Sequence, residues 1–434
     1  MHVWPGRKHH RVVAGLTAGG LLVIGLAACG SSSPSSASNQ VSASAKQTIV
    51  FASAGLGTEG TATKAAIAGF EKLHPNIKVS LLSLSSNSTV AQEQEEHYFL
   101  AGSSTPDVIY TDVTWPTTFA RSGWIAKLNS FKPDTSAFFA GQMATGDYNG
   151  GVYAIPWFIN AEGIYYNTSL IKTPPTTEAQ LVSDAKHALA TDKSLKEGLA
   201  FEGAEYEGSV TAWQSFGANI SLSSLSNLNN SANLNALTFM YDAIHTYKIS
   251  PGAVTGWQEP NVQAAWLAGQ TPFALNWPYI FQLSESKTSS GAPAYPAVYG
   301  KTAWIPFPSA TPQTSLGGDD LAINAKSTHQ AAAWEFIKYL TSASAQDARA
   351  ISAGDPPSVT AAYNATLYKA APYYKDETAV YKVVTPRPVT PVYPQMSSSV
   401  FQPMISSVLS GQETPSAALS SNAATVSQLL ATAK

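Results

Sequence analysis

The chain is poor in cysteine and in charge. Its 434 residues include one cysteine, Cys29, and only 12% of them are charged. A single thiol allows no internal disulfide, so the folded state must be held by a packed core. A chain of this length can bury enough apolar surface for two domains. We therefore expect a large two-domain protein that needs no covalent cross-link.

The charge pattern argues against one class of partner. The formal net charge is −3, and no block of basic residues follows the N-terminal segment. Proteins that bind nucleic acid need such a block to neutralise phosphates, so we expect no nucleic-acid partner. Aromatic residues make up 10% of the chain. A weakly charged, aromatic-rich chain favours a neutral ligand over an ionic one.

Long apolar runs are also scarce, and the one present lies at the N-terminus. It follows Arg7, Lys8 and Arg11, spans residues 12–28 and ends in Leu-Ala-Ala directly before Cys29. This order predicts a signal peptide over 1–28. The Leu-Ala-Ala-Cys ending resembles the lipobox of bacterial lipoproteins, in which the cysteine carries a lipid. We predict lipidation at Cys29; an ordinary cleavage site beside a chance cysteine is the alternative.

Catalytic and metal-binding motifs are missing as well. The sequence contains no G-x-S-x-G, H-E-x-x-H, C-x-x-C or P-loop pattern. Asp319 and Asp320 are the one adjacent pair that suggests a glycosidase. Neighbours on a strand point to opposite faces, which argues against a cooperating acid and base. We expect neither an enzyme nor a metal or cofactor site.

The apolar pattern predicts an α/β fold after a Ser- and Ala-rich tether over residues 29–46. Alternation of strand and helix in the first block implies crossover connections and a parallel sheet. A second α/β unit is expected from about residue 160 to 315. Strands are predicted over 48–54, 77–82, 107–111 and 272–276, and helices over 61–73, 90–101, 181–190, 232–247 and 328–340.

Polar and aromatic residues follow several predicted strands, where open α/β sheets bind ligands. Glu59 lies in a glycine-rich loop after the first strand and can accept hydroxyl hydrogen bonds. Asp112 and Trp115 follow the third strand and combine a carboxylate acceptor with an apolar plate. A pyranose needs this pair for its hydroxyls and its CH face. A plain turn for Glu59 and a place in the core for Trp115 are the structural alternatives.

Later segments repeat the combination of polar and aromatic residues. Trp277 and Tyr279 follow the predicted strand over 272–276. Gly318 and Asp319 can present a backbone amide and a carboxylate. Arg387 stands between two prolines and is a rigidly placed fork of donors. A surface charge or a structural ion pair is the alternative for this arginine.

Five stretches of the sequence resemble one known family. They resemble the carbohydrate-binding extracellular solute-binding proteins of the maltose-binding type, most of all the trehalose/maltose-binding lipoproteins. The likeness covers essentially the whole chain after the signal peptide. The stretches read GFEKLHPNIKV, PDVIYTDVTWPTTFARSGWIAKL, VYAIPWFINAEGIYYN, LGGDDLAINAKSTHQAAAWEFIKYLTS and PRPVTPVYP.

The resemblance implies the two-lobed α/β fold of periplasmic binding proteins, with a ligand cleft between lobes that close by a hinge. An N-terminal lobe is expected over 47–157 plus 318–357, and a C-terminal lobe over 158–317 plus 358–434. Three hinge crossings are then expected near residues 155–160, 315–319 and 355–360.

The resemblance also implies site residues and partners. Asn160 stands where many relatives have aspartate, and its amide can donate as well as accept, so hydroxyl preferences should differ. The implied ligand is a neutral disaccharide, such as trehalose or maltose, or a short oligosaccharide. The residues implied to contact it are Glu59, Asp112, Asn160, Trp277, Gly318 and Arg387.

The implied setting is the extracellular face of the cytoplasmic membrane. There a monomer held only by the lipid on Cys29 would deliver sugar to a permease pair and its ATPase. A binding protein for another oligosaccharide or a non-sugar solute, a cell-surface glycoside hydrolase and a structural lipoprotein are the alternatives. The sequence does not distinguish trehalose from maltose or another oligosaccharide, and a thermal-shift screen of neutral sugars would, because a ligand in the cleft stabilises the fold.

Overall fold

The computed structural model describes residues 46–55, 58–309 and 314–433. The predicted signal peptide, Cys29 and the predicted tether up to residue 45 lie outside this range. Within the described ranges, every helix is too short or too polar to cross a bilayer.

The strands form three sheets in the described part of the chain. Their bounds are β1 Gln47–Ser53, β2 Ile77–Ser83, β3 Val108–Asp112, β4 Asp147–Tyr148, β5 Gly151–Val152, β6 Ala154–Ala161, β7 Gly163–Asn167, β8 Leu199–Ala200, β9 Phe273–Asn276, β10 Thr302–Ile305 and β11 Leu316–Ile323.

Helices cover both larger sheets. Their bounds are α1 Glu59–Leu73, α2 Ser88–Leu100, α3 Pro116–Arg121, α4 Ala140–Met143, α5 Glu178–Thr191, α6 Glu207–Ser215, α7 Ser231–His245, α8 Glu259–Leu267, α9 Tyr279–Ser284, α10 Gln330–Leu340, α11 Ala343–Ala353, α12 Ala365–Ala370, α13 Tyr374–Tyr381, α14 Tyr393–Met396, α15 Gln402–Leu409 and α16 Pro415–Thr432.

The first sheet has the strand order β2-β1-β3-β11-β6. β1 pairs in parallel with β2 and β3, as the alternating pattern predicts. β11 pairs antiparallel with both β3 and β6. The parallel pairing predicted for the first three strands is therefore confirmed, and the antiparallel β11, which was not predicted, makes the sheet as a whole mixed. β11 enters after the chain has passed through the second sheet, so no helical crossover sets its direction.

The second sheet has the strand order β10-β7-β9-β8. β7 pairs antiparallel with β10 and β9, while β8 runs parallel to β9. Each of the two sheets has its own apolar core, and together they form two lobes. We call the part around β1 the first lobe and the part around β9 the second lobe.

Helix α10 shows how sequence pattern becomes packing in the first lobe. Its apolar residues recur at helical spacing, and Ala333, Phe336, Ile337 and Leu340 are all buried. The Phe336 ring packs edge-on against Phe51 of β1, with 5.3 Å between centroids. Removing such a buried aromatic ring costs about 3–5 kcal/mol of folding free energy. The helix therefore anchors one face of the first sheet.

The chain passes between the two sheets at a tight connection. β6 ends in the first sheet, β7 begins in the second, and only Glu162 lies between them. The Glu162 carboxylate is buried and accepts a 2.6 Å hydrogen bond from Ser215. A Cβ at Gly163 would lie 2.1 Å from Nε1 of Trp304, so the connection needs glycine there. The chain returns to the first sheet between β10 and β11.

Candidate functional site

An open cavity lies between the two lobes. Residues at the carboxyl ends of β1 and β3 form one wall, and residues after β8 and β9 form the opposite wall. β6 and β11 contribute Asn160 and the segment 317–319. The ends of strands from both sheets thus converge on one space, as in other open α/β sheets that bind ligands.

The structure brings most of the predicted site residues to this cavity. The predicted residues that line it are Glu59, Asp112, Asn160, Trp277, Tyr279, Gly318, Asp319 and Arg387.

Trp115 does not line this cavity. Its ring is 2% exposed and packs edge-on against Tyr110, with 5.6 Å between centroids. It also contacts Phe119 within the core of the first lobe. The place of Trp115 is therefore the core, which is the structural alternative given by its sequence context.

Asp112 is fixed at the end of β3 by its own turn. Its Oδ1 accepts hydrogen bonds from the backbone N–H of Thr114 at 2.9 Å and from the Thr114 hydroxyl at 2.7 Å. Such a turn holds a carboxylate in one orientation. The guanidinium of Arg387 donates from Nη2 to both carboxylate oxygens at 3.1 Å. Asp112 thus presents a rigid, charge-paired acceptor to the cavity.

Arg387 is buried, with 1% of its side chain exposed, between Asp112 and Glu207. Its Nη1 donates to Oε1 of Glu207 at 2.6 Å. Burial acts to lower the pKa of the guanidinium, but the two carboxylates outweigh it and raise that pKa, so the charge is kept. Its Nε atom is buried and has no hydrogen-bond partner. The ion pair foreseen as an alternative is present, and it lies at the cavity.

Three further carboxyl groups line the cavity: those of Glu202, Glu207 and Glu259. The strand-end pattern of the sequence does not predict them. Glu202 follows the two-residue strand β8, which is too short to give an apolar run. Glu207 and Glu259 begin helices α6 and α8, where acidic residues are also favoured by the helix dipole. A first-turn acid is therefore a weak signal of a binding site by itself.

Burial changes the protonation of several of these acids. It raises the pKa of Glu259 to about 7 and that of Glu202 well above its ordinary value. Burial also raises the pKa of Asp319 well above its ordinary range, with Asp112 adding to the effect. A protonated carboxyl can donate a hydrogen bond as well as accept one. The cavity thus combines a carboxylate paired with arginine, at Asp112, with carboxyls whose protonated form is favoured by burial.

Trp277 supplies an apolar surface beside these polar groups. Its backbone N–H donates to Oδ1 of Asn276 at 2.7 Å. The ring lies against Gly317, where a Cβ would be 2.5 Å from Cζ3 of the indole. Gly318 has φ of +94°, and a Cβ there would meet the Phe158 carbonyl oxygen at 2.2 Å. The two glycines thus let Trp277 and β6 approach β11 closely.

The two adjacent aspartates of β11 face different surroundings. Asp319 lines the cavity, whereas Asp320 accepts hydrogen bonds from Thr145 at 2.8 Å and Gln142 at 3.2 Å inside the first lobe. Burial raises the pKa of Asp320 to about 7. The strand alternation thus separates the two carboxyls, as expected from their spacing.

Arg349 lies behind Glu59 on the first-lobe side of the site. Its Nη2 lies 2.7 Å from Oδ2 of Asp355 and 4.0 Å from Oε1 of Glu59. Its guanidinium stacks over Trp157 at 4.1 Å from the ring centroid. A buried arginine therefore supports Glu59 beside the cavity. In the described part of the chain, His, Cys, Asp and Glu nowhere gather in a group that could hold a metal ion.

The fold and the site define a class of protein: two α/β lobes with a polar and aromatic cavity between them form a binding protein for a small solute. The family model described as bacterial extracellular solute-binding protein matches residues 54–347, more than half of the chain. The chain belongs to this family. Its members are binding proteins, which confirms the prediction that the chain is not an enzyme.

Three relatives illustrate the likeness. A protein of Deinococcus radiodurans, named a probable ABC transporter-binding protein, is 29% identical over 82% of this chain and 87% of its own length. The maltose-bound MalE3 structure of T. maritima is 30% identical, with a TM-score of 0.82 over 88% of this chain and 100% of that one. The GacH receptor of Streptomyces glaucescens, solved unliganded and with acarbose, is 22% identical, with a TM-score of 0.78 over 90% and 100% of the two chains.

The comparisons confirm part of what the resemblance implied. The two-lobed periplasmic-binding-protein fold is confirmed, and so is the place among extracellular solute-binding proteins. The lipid anchor, the particular sugar and the roles of the individual site residues stay predictions.

Proposed function

We propose that this chain is the substrate-binding component of an ABC importer and captures a neutral disaccharide or short oligosaccharide, such as maltose or trehalose. The observation that carries this proposal is the pairing of a charged acceptor, Asp112, with the Trp277 indole in one interlobe cavity. Two relatives support it: the T. maritima structure is described as maltose-bound, and the D. radiodurans protein as a probable ABC transporter-binding protein.

The contacts of the lining residues suit a sugar. Oδ2 of Asp112 accepts one hydrogen bond, from Arg387, and so keeps acceptor capacity for a ligand hydroxyl. The Oδ1 atom of Asn160 is buried and without a hydrogen-bond partner. Trp277 is half-buried and offers its remaining face to the CH groups of a pyranose.

The proposed setting is the outer face of the cytoplasmic membrane. Lipidated Cys29 would anchor the chain, and residues 30–46 would act as a flexible tether. The two lobes would close on the sugar and present it to a permease pair. The ATPase of the importer would then drive transport.

A thermal-shift screen of the lipid-free chain, with residues 1–28 removed and Cys29→Ser, tests the proposal. The panel contains maltose, trehalose, maltotriose, glucuronate and a dipeptide. A ligand at one hundred times its Kd should stabilise the fold by about 2.7 kcal/mol. We expect a clear rise in Tm with at least one neutral sugar. A rise with the dipeptide or glucuronate alone would contradict a neutral-sugar ligand.

A further inference from the structure

Glu207 is a hydrogen-bonding hub on the second-lobe side of the cavity. It is the first residue of α6 and is 8% exposed. Its Oε1 accepts from Arg387 at 2.6 Å and from the Tyr393 hydroxyl at 2.5 Å. Its Oε2 accepts from the Ser397 hydroxyl and, at 3.5 Å, from the Gln402 amide. Four side chains from residues 387–402 thus converge on one carboxylate.

These bonds use the acceptor capacity of Glu207. Each carboxylate oxygen offers about two lone-pair sites, and each of the two oxygens already accepts two hydrogen bonds. Glu207 therefore has no free acceptor site for a ligand hydroxyl, although it lines the cavity. Its role therefore depends on the side chains that it binds.

Glu207 holds Arg387, and Arg387 joins the two lobes. Asp112 ends β3 in the first sheet, while α6 packs through Val210 and Trp213 into the core of the second lobe. A guanidinium is a planar fork, so fixing Nη1 on one carboxylate determines where Nη2 points. With Nη1 on Glu207, Nη2 lies 3.1 Å from both oxygens of Asp112.

We propose that Glu207 is a positioning residue, which orients Arg387 across the cleft toward Asp112 and thereby sets the spacing of the lobes. Tyr393 and Ser397, which follow Arg387 in the chain, hold Glu207 in place by hydrogen bonds. Without the charge of Glu207, the buried guanidinium loses one of its two carboxylate partners and the direction of its fork is no longer fixed. The interlobe ion pair then weakens, although neither Asp112 nor Arg387 has changed.

Interlobe distances measured without ligand test this proposal directly. Because Cys29 is the only cysteine, spin labels can be attached at chosen positions in a Cys29→Ser chain. The labelled chain carries Lys72→Cys and Lys193→Cys, both at exposed positions. Glu207→Gln keeps the shape of the side chain and removes its charge. Glu205→Gln, two residues earlier and exposed, is the matched control.

We expect Glu207→Gln to move the interlobe distance distribution to longer and broader values, as Asp112→Asn should also do, while Glu205→Gln should match the wild type. In an Arg387→Gln background, Glu207→Gln should add no further change, because its effect passes through Arg387. A wild-type distribution in Glu207→Gln would overturn the proposal. The proposal would also be overturned if Glu207→Gln lengthened the interlobe distance as much in the Arg387→Gln background as in the wild type. That result would show that Glu207 acts locally on α6 and not through Arg387.

Titration calorimetry with maltose, or with the neutral sugar that gives the largest thermal shift, adds a second arm that rests on the proposed function. Glu207→Gln should weaken binding about tenfold, as expected for a lost charged hydrogen bond near the site. Glu205→Gln should keep wild-type affinity. If the wild type binds no neutral sugar, the proposed function fails, and the distance measurement still decides the role of Glu207.

Discussion

Asp112 and Asp319 are directly paired residues on neighbouring strands, β3 and β11, and both carboxyls reach the same cavity. Two like charges so placed would repel each other. Asp112 is balanced by Arg387, whereas burial first and Asp112 second raise the pKa of Asp319 well above its ordinary value. Asp112 therefore faces a cation, whereas the surroundings of Asp319 favour its protonated form, although the two residues are the same in the sequence.

This difference between Asp112 and Asp319 predicts a large effect for one isosteric change and a small effect for the other. Asp112→Asn removes the charge that faces Arg387 and should weaken sugar binding about ten- to hundredfold, the effect of losing roughly 1.5–3 kcal/mol. Asp319→Asn replaces a neutral carboxyl by a neutral amide and should change affinity by less than about threefold. Titration calorimetry on both variants measures the contrast. Equal losses in the two variants would mean that Asp319 also acts as a charged acceptor.

The two tryptophans predicted beside strand ends should respond differently to removal. Trp277→Ala takes away the half-buried plate in the cavity and should weaken sugar binding at least tenfold while the Tm without ligand changes little. Trp115→Ala empties a core position and should cost about 3–5 kcal/mol of folding free energy. Urea unfolding and calorimetry separate the two effects. A stable Trp115→Ala variant that had lost sugar binding would argue for a direct role of Trp115.

Stability should fall as pH rises through the range in which buried Glu259 titrates. Its pKa is about 7 in the folded protein and 4.5 ordinarily, so the folded state holds a proton that the unfolded chain releases. Its contribution is present below pH 4.5 and is lost as pH rises to about 7, at up to about 1.4 kcal/mol per pH unit.

Urea unfolding between pH 4.5 and 8 checks this expectation. Glu259→Gln should show a shallower fall than the wild type, because the glutamine cannot ionise. The exposed Glu205→Gln serves as control and should follow the wild-type curve. Glu162 and Asp320, whose pKa values burial raises to about 8 and about 7, should leave part of the slope in place. Identical slopes in the wild type and Glu259→Gln would contradict this protonation.

Membrane attachment should depend on one residue. Cys29→Ser removes the thiol that would carry the lipid, and the described part of the chain has no helix able to span a bilayer. We expect the variant to appear in the soluble fraction, while the wild type stays with washed membranes. Immunoblots of the two fractions measure this. Continued membrane association of the variant would mean that another segment anchors the chain.

Much of the fold follows from local pattern. The apolar, β-branched run near residue 48 becomes β1, and the spaced apolar residues near 336 become α10, because burial favours them in almost any context. The direction of β11 was not predictable from local pattern, since it depends on where the chain returns from the second lobe. Apolar periodicity cannot carry that information.

Local sequence predicts some of the site residues and not others. Asp112 and Trp277 were predictable because each follows a strand whose end is a common place for ligands. Glu202, Glu207 and Glu259 were missed because tertiary packing of α6 and α8, not local sequence, brings them to the cavity. Trp115 follows the same strand as Asp112, but spacing does not show that its ring turns into the core.

Small-angle X-ray scattering of the lipid-free chain, with and without the sugar that gives the largest thermal shift, tests whether a sugar is captured between the lobes. Capture of a neutral sugar between two lobes should draw the lobes together. We expect the radius of gyration of the wild type to fall on saturation with the sugar. An unchanged radius of gyration in the wild type, with binding confirmed by calorimetry, would contradict it.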